Sequence, residues 1–112
     1  SSAASDVYKR QVLAYLRLFD LEKVQDARHR YIPGAWTFGR VAVHPDARGT
    51  GLGRKLLHAA LEWIRDNTDA KEIVIAAQAY LKDTYYSPEG FVERGEHYME
   101  SGIEHVEMVL KL

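Results

Sequence analysis

A chain of 112 residues with 46% apolar content is long enough for one compact domain and too apolar to be disordered. Its 15 basic and 16 acidic residues nearly cancel, which argues against DNA or RNA as the main partner. It has no cysteine, so disulfides, thiolate metal sites and cysteine nucleophiles are excluded.

Residues 1–11 are mostly small and polar and are expected to lie outside the fold, as a non-native scar or a disordered start. The domain is expected to occupy 12–112. Val12 to Phe19 reads as a strand rich in β-favouring residues. Asp20 to Trp36 is polar and punctuated by Pro33-Gly34, hence a loop. Thr37 to Val43 reads as a second strand, ended by Pro45. Gly39 within it suggests a bulge or a close approach by another group. Thr50 to Asn67 is the clearest helix. Leu52, Leu56, Ala60, Trp63 and Ile64 make one apolar stripe, Leu57 and Leu61 widen it, and Arg54, Lys55, Glu62, Arg65 and Asp66 take the wet face.

Glu72 to Gln78 is a continuous apolar run, the pattern of a strand covered on both faces. Strand, helix and strand in this order predict a parallel, right-handed βαβ unit. A short helix follows from Ala79 to about Tyr86 and is ended by Ser87-Pro88-Glu89-Gly90. Phe91 to about Tyr98 and Glu104 to Leu112 read as two last strands joined at Ser101-Gly102. In the final strand Val106, Met108, Leu110 and Leu112 alternate with His105, Glu107, Val109 and Lys111, so one face is expected to be buried. No run reaches the roughly 20 apolar residues of a membrane span, and no secretory signal is visible. The expectation is a cytoplasmic protein without a membrane partner.

The chemistry sits in Arg48-Gly49-Thr50-Gly51-Leu52-Gly53, where a strand leads into a helix. Glycines allow a tight turn and leave the main chain open to a ligand. The first N–H groups of the helix lack intrahelical partners, and the helix dipole adds positive charge. Together they make an anion site suited to a pyrophosphate, with Arg48, Arg54 and Lys55 close in sequence. A turn that only joins strand to helix needs one glycine, not three at alternate positions flanked by arginines. The P-loop pattern fails because Arg54 follows Gly53 where lysine is required, and no Ser or Thr comes next. The Rossmann pattern fails because the spacing is G-x-G-x-G after a five-residue linker from Val43.

The pattern Arg/Gln-x-x-Gly-x-Gly/Ala resembles the pyrophosphate turn of the GNAT superfamily of N-acetyltransferases. Gly39 to Gly49 is similar to that family's central strand and loop. Ala77-Gln78-Ala79-Tyr80-Leu81, the tyrosines before Gly90-Phe91, and Gly102 to Met108 resemble the ElaA-like branch. The likeness runs from about Val12 to the C-terminus, with one residue inserted between Leu81 and Gly90 and Ser101 in place of the usual acidic residue.

The resemblance implies an α/β fold, a GNAT-like mixed sheet with a central βαβ unit and C-terminal antiparallel strands, lacking the family's first strand and two helices. Val12 to Phe19 is then expected to be an open edge, and the chain as it stands to bind acyl-CoA weakly and to transfer little. It also implies direct transfer of an acyl group, in the first instance acetyl from acetyl-CoA, to a primary amine. The main chain of Val41 and Val43 would pair with the pantetheine arm. Arg48, Gly49, Thr50, Gly51, Leu52, Gly53 and Arg54 would hold the pyrophosphate. A bulge near Gly39 would free an N–H for the oxyanion. Tyr86, three residues before Gly90-Phe91, is the expected acid for the departing thiolate; counted from Ala79, Tyr85 fits instead. An unperturbed phenol, with a pKa of about 10, is competent for that task.

His105 is the best remaining candidate for the base, although a lone histidine in an alternating strand is more often solvated or structural. Arg40 would contact acceptor or cofactor, or pair on the sheet face. His29, His44, His58 and His97 show no metal-ligand spacing, so no metal is expected. A CoA-binding fragment without catalysis and a protein-interaction module are the alternatives.

Overall fold

A computed structural model describes residues 2–6, 11–23 and 30–112. Six strands, β1 (Ser2–Asp6), β2 (Gln11–Asp20), β3 (Ala35–Val43), β4 (Glu72–Gln78), β5 (Val92–Glu100) and β6 (Ile103–Lys111), form one sheet in the order β1-β2-β3-β4-β6-β5. One helix, α1 (Leu52–Asn67), links β3 to β4, which are parallel neighbours. The expected βαβ unit and mixed sheet are both present. The open edge expected at Val12 to Phe19 is corrected: Ser2–Asp6 pairs antiparallel with β2, so β2 is an inner strand. Small residues such as Ser and Ala carry weak strand propensity, and here a neighbouring strand supplies the hydrogen-bonding partner that composition could not reveal.

The core lies between α1 and the sheet. Leu56, Leu57, Ala60, Leu61 and Ile64 bury the helix face against Leu16, Phe38, Ile73, Ile75, Val106 and Met108. Trp63 departs from the expected stripe. It is 42% exposed at the margin of the buried face, its ring 5.7 Å from that of Trp36. Arg54 departs in the other direction, since its guanidinium bonds inward to Glu89. The helix ends where Asn67 suggested, and Thr68 caps it by bonding Ile64 O through both its N–H (3.1 Å) and its hydroxyl (2.7 Å).

Beyond β4 the expected short helix is irregular. Ala79–Leu81 is a 3-10 turn, Lys82–Tyr86 a π turn and Ser87–Glu89 a second 3-10 turn. A π turn holds one residue more than the α turn it replaces. In β6 the expected alternation buries Val106, Met108 and Leu110, but His105 and Val109 are buried as well. Leu21, Ala35 and Val74 join Val109 in a second, smaller cluster on the opposite face, which explains the double-sided burial.

His97 bridges the last two strands. Its two ring nitrogens lie 2.6 Å from Glu104 Oε2 and 2.7 Å from Glu93 Oε1. Hydrogen bonds to Glu104 and then Glu93 raise its pKa above the usual histidine value. The folded state therefore holds this proton more tightly than the unfolded state. The resulting stabilisation is complete below the unfolded pKa of about 6.5 and fades as pH rises through the higher folded value. Urea melts of the wild type and of His97→Gln should therefore differ most at acid-neutral pH and converge at alkaline pH. A stability difference that stays constant with pH would remove this assignment.

Candidate functional site

The site begins where β3 and β4 part. They pair only at Ala35↔Glu72 and Trp36↔Ile73. Past these residues β4 continues along β6 and β3 along β2, leaving a wedge between them. On the β2 side, Tyr15 faces Ala42 and Arg17 faces Gly39, so Arg40 and Val41 both fall opposite Leu16. This is the expected β-bulge, one residue beyond Gly39, and it breaks the ladder where the strands diverge. The side chain of Arg40 lies outside the described residues. His44 N donates to Leu13 O at 2.6 Å, so the amide of residue 44 faces β2. Strand alternation then turns the N–H and C=O of Val43, and of Val41 at the rim of the bulge, toward the wedge.

The wedge encloses a cavity of about 260 Å³ lined by Phe38, Gly39, Val41, Ile75, Ala76, Gln78, Leu81, Tyr86 and His105. Gly39 and Val41 of β3, Tyr86 of the 82–86 turn and His105 of β6 are thus brought together from three separate segments. A Cβ added to Gly39 would meet no protein atom within 4 Å.

The glycine turn stands at the start of α1. Gly49 and Gly51 have φ of +78° and +82°, the left-handed region that side chains with a Cβ avoid. Gly51 is the N-cap residue of α1. Thr50 steadies the turn, its hydroxyl donating to Ala47 O and accepting from Leu52 N. The first intrahelical bond is Lys55 N to Gly51 O at 3.1 Å. The N–H groups of Gly53 and Arg54 precede it and have no intrahelical acceptor. Gly53 has no positive φ, and a Cβ there would stand in close contact with Val43 Cγ2 at 3.4 Å. The side chains of Arg48 and Lys55 are exposed beside the turn. The turn therefore fits a bound pyrophosphate, because its outer surface is open at Gly49 and Gly51 and its free amides face one way.

The guanidinium of Arg54 is turned to other partners, although the residue's main-chain N–H belongs to the helix start. Its guanidinium donates to Glu89 Oε2 (2.6 Å), Thr84 O (2.6 Å) and Tyr85 O (3.4 Å). Sequence proximity to the turn suggested a phosphate ligand; the packing of the 79–89 segment against α1 supplies competing acceptors.

The two tyrosines separate. Tyr86 is 7% exposed, packs against Phe38 and Phe91, and lines the cavity. Burial, helped by the neighbouring Tyr85 and Tyr80, pushes its pKa up to about 12. This corrects the expectation of an unperturbed phenol. Tyr85 instead donates its hydroxyl to Gly53 O at 2.7 Å. Burial raises its pKa, and the positive charge of Arg54 works against the rise.

His105 is not solvated. It is 8% exposed, stacks on Tyr98 and lies against Ile103 O, 2.8 Å from Nδ1. That carbonyl can only accept, so Nδ1 carries hydrogen and Nε2 is left as the basic nitrogen of the neutral ring. Glu100 Oε2 lies 3.7 Å from Nε2. His58 bonds Glu89 and His44 accepts from Asp46 N, so neither takes part in the cavity. His29 lies outside the described residues. Among the described residues no group of three or more metal-ligating side chains converges, and no helix is long and apolar enough to cross a membrane.

Residues 27–112 match the family model described as an acetyltransferase (GNAT) domain. The chain belongs to the GNAT family. It is 39% identical over 103 residues to a UPF0039 protein of Schizosaccharomyces pombe, covering 91% of this chain and 61% of the relative. Among solved structures, an acyl-CoA N-acyltransferase from Pseudomonas aeruginosa is 40% identical with a TM-score of 0.71, covering 89% of this chain and 61% of that one. Escherichia coli ElaA is 26% identical with a TM-score of 0.73, covering 91% and 62%. Within the GNAT family the chain is therefore ElaA-like, and it spans about three-fifths of these relatives' length.

The geometry separates two glycines of this GNAT chain. Gly51→Ala forces a Cβ into the left-handed region and should cost about 1–2 kcal/mol in urea unfolding. Gly39→Ala has no such strain and open space around it, so its stability should stay within about 0.5 kcal/mol of wild type. Equal destabilisation by both changes would contradict the backbone described here.

Proposed function

We propose that this chain carries the donor-binding and reacting groups of an N-acyltransferase that moves an acyl group, acetyl in the first instance, from acyl-CoA to a primary amine. The observation that carries the reading is the alignment of an open anion-binding turn at Gly49–Gly53 with a wedge whose strand edge faces inward at Val43. A pyrophosphate on the turn leaves the pantetheine arm to run along that edge, pairing with the main chain of Val43 and Val41 as an added strand.

In this reading the amine attacks the thioester carbonyl directly, forming the C–N bond as the carbonyl electrons move to oxygen. The bulge at Arg40–Val41 offers a main-chain N–H to that oxyanion, a contribution of about 3 kcal/mol for a preorganised donor. His105 Nε2 takes the proton released by the amine. Collapse breaks the C–S bond, and the electron pair leaves on sulfur as a thiolate. That thiolate takes its proton from solvent, while His105 returns the amine's proton to solvent. With its pKa near 12, Tyr86 holds its proton firmly. Complete transfer to a thiolate, the conjugate base of a much stronger acid, is uphill. Its task is thus to donate a hydrogen bond to the departing sulfur. Tyr85, engaged at Gly53 O, serves the local structure.

A chain that binds acyl-CoA without turnover is the second reading. It is favoured by the thin cover on the sheet, where Val92 remains exposed beside buried Val109 and Tyr98 beside buried His105.

Calorimetry with acetyl-CoA should show binding that Gly51→Asp weakens by about tenfold or more, since a carboxylate would face the pyrophosphate. Unchanged binding would sink both readings. Where amine transfer is measured, Tyr86→Phe should lower kcat about 10–100-fold with donor affinity kept within about twofold. Loss of kcat on Tyr85→Phe alone would move the role to Tyr85. Donor binding with no transfer to any primary amine would leave the second reading standing.

A further inference from the structure

The π turn that carries Tyr85 and Tyr86 is flanked on both sides by 3-10 turns, and neither kind of turn holds a segment as firmly as an α-helix does. Something outside the segment must define its position, and α1 supplies it. Arg54 donates to the carbonyls of Thr84 and Tyr85 and to the carboxylate of Glu89, the last at 2.6 Å. Its guanidinium carbon lies 5.2 Å from the centre of the Tyr85 ring. His58, one turn further along α1, holds the other Glu89 oxygen at 2.8 Å. Tyr85 closes the set by donating to Gly53 O at 2.7 Å. Three residues of the first two turns of α1 thus grip the segment at Thr84, Tyr85 and Glu89. The Glu89 carboxylate is largely shielded from solvent, which strengthens charge-assisted bonds of this kind.

We propose that Arg54 and Glu89 form a latch that fixes the tyrosine-bearing segment to the start of α1, so that Arg54 serves acyl transfer by positioning Tyr86 and not by binding the donor's phosphates. The inference rests on the acyl-transfer reading above for its consequence, but not for its geometry. The helix start that receives the pyrophosphate is also the anchor of the segment that lines the cavity. Registry between the two is therefore set by groups from the first two turns of one helix. Arg54 and Glu89 are positioning residues; they reach the reacting atoms only through Tyr86.

The latch and a phosphate-binding role for Arg54 predict opposite behaviour. Lysine keeps the positive charge but cannot reach a carboxylate and two carbonyls with one fork. Under the latch, Arg54→Lys and Glu89→Gln each lower kcat about 10–100-fold and leave the acetyl-CoA dissociation constant within about twofold. The double variant is no worse than either single change. Hydrogen exchange of peptides spanning 82–89 speeds up in both variants, while that of 57–67 stays as in wild type. Under phosphate binding, Arg54→Lys is mild, Arg54→Ala weakens acetyl-CoA binding at least about tenfold, and Glu89→Gln tightens it by releasing the guanidinium. That pattern, or unaltered exchange at 82–89, overturns the proposal. If the wild type binds acetyl-CoA but transfers nothing, the acyl-transfer reading fails, and exchange and calorimetry still decide the latch.

Discussion

The structure depends on two parallel strands that pair over only two residues each and then separate. Ala35 and Trp36 bond Glu72 and Ile73, and no further pair joins β3 to β4 among the described residues. Ending a ladder in the middle of a sheet exposes main-chain donors and acceptors, which is costly unless something satisfies them. Here the bulge opposite Leu16 turns β3 away, and Phe38, Ile75 and Tyr86 wall the gap with apolar surface. An extended ligand with its own amide groups is the natural filling for such a gap, as an added strand is for any open edge. The wedge thus ties a feature of sheet topology to the ligand chemistry proposed for it.

The placement of α1 follows from the same divergence. A right-handed crossover from β3 to β4 puts the helix start near the end of β3 where the strands part. Gly49 and Gly51 adopt backbone conformations open to glycine, and the first amides of α1 point outward there. The apolar face of the helix, from Leu56 to Ile64, anchors this anion site to the core through residues that are almost fully buried. A site built on a packed helix keeps its geometry better than one on a free loop. The latch from Arg54 to Glu89 extends that rigidity to a segment whose own hydrogen bonding is weak.

Burial also reassigns the titrating groups. Tyr86 is packed among aromatic rings and holds its proton; His105 is shielded, oriented by Ile103 O and set against Glu100. A phenol that stays neutral and an imidazole with one free nitrogen suit a reaction in which a proton leaves an amine and a sulfur departs as an anion.

Much of this was legible in the chain itself. The helix stripe, the continuous apolar run of β4 and the glycine turn are local patterns, written in residues that lie close in sequence and obey helix or strand periodicity. The extents of α1 and β4 accordingly match their patterns closely. What depended on contacts between distant segments was not legible. Ser2–Asp6 has no strand signature of its own and becomes a strand by pairing with β2. Tyr85 and Tyr86 each fit the sequence pattern, and only packing showed that Tyr86 lines the cavity while Tyr85 bonds Gly53 O. Arg54 carried the charge expected of a phosphate ligand, and only packing revealed that Thr84, Tyr85 and Glu89 claim its donors. Periodicity reports which face of an element is apolar; it carries no information about which acceptors a distant segment brings within reach of a long, flexible side chain.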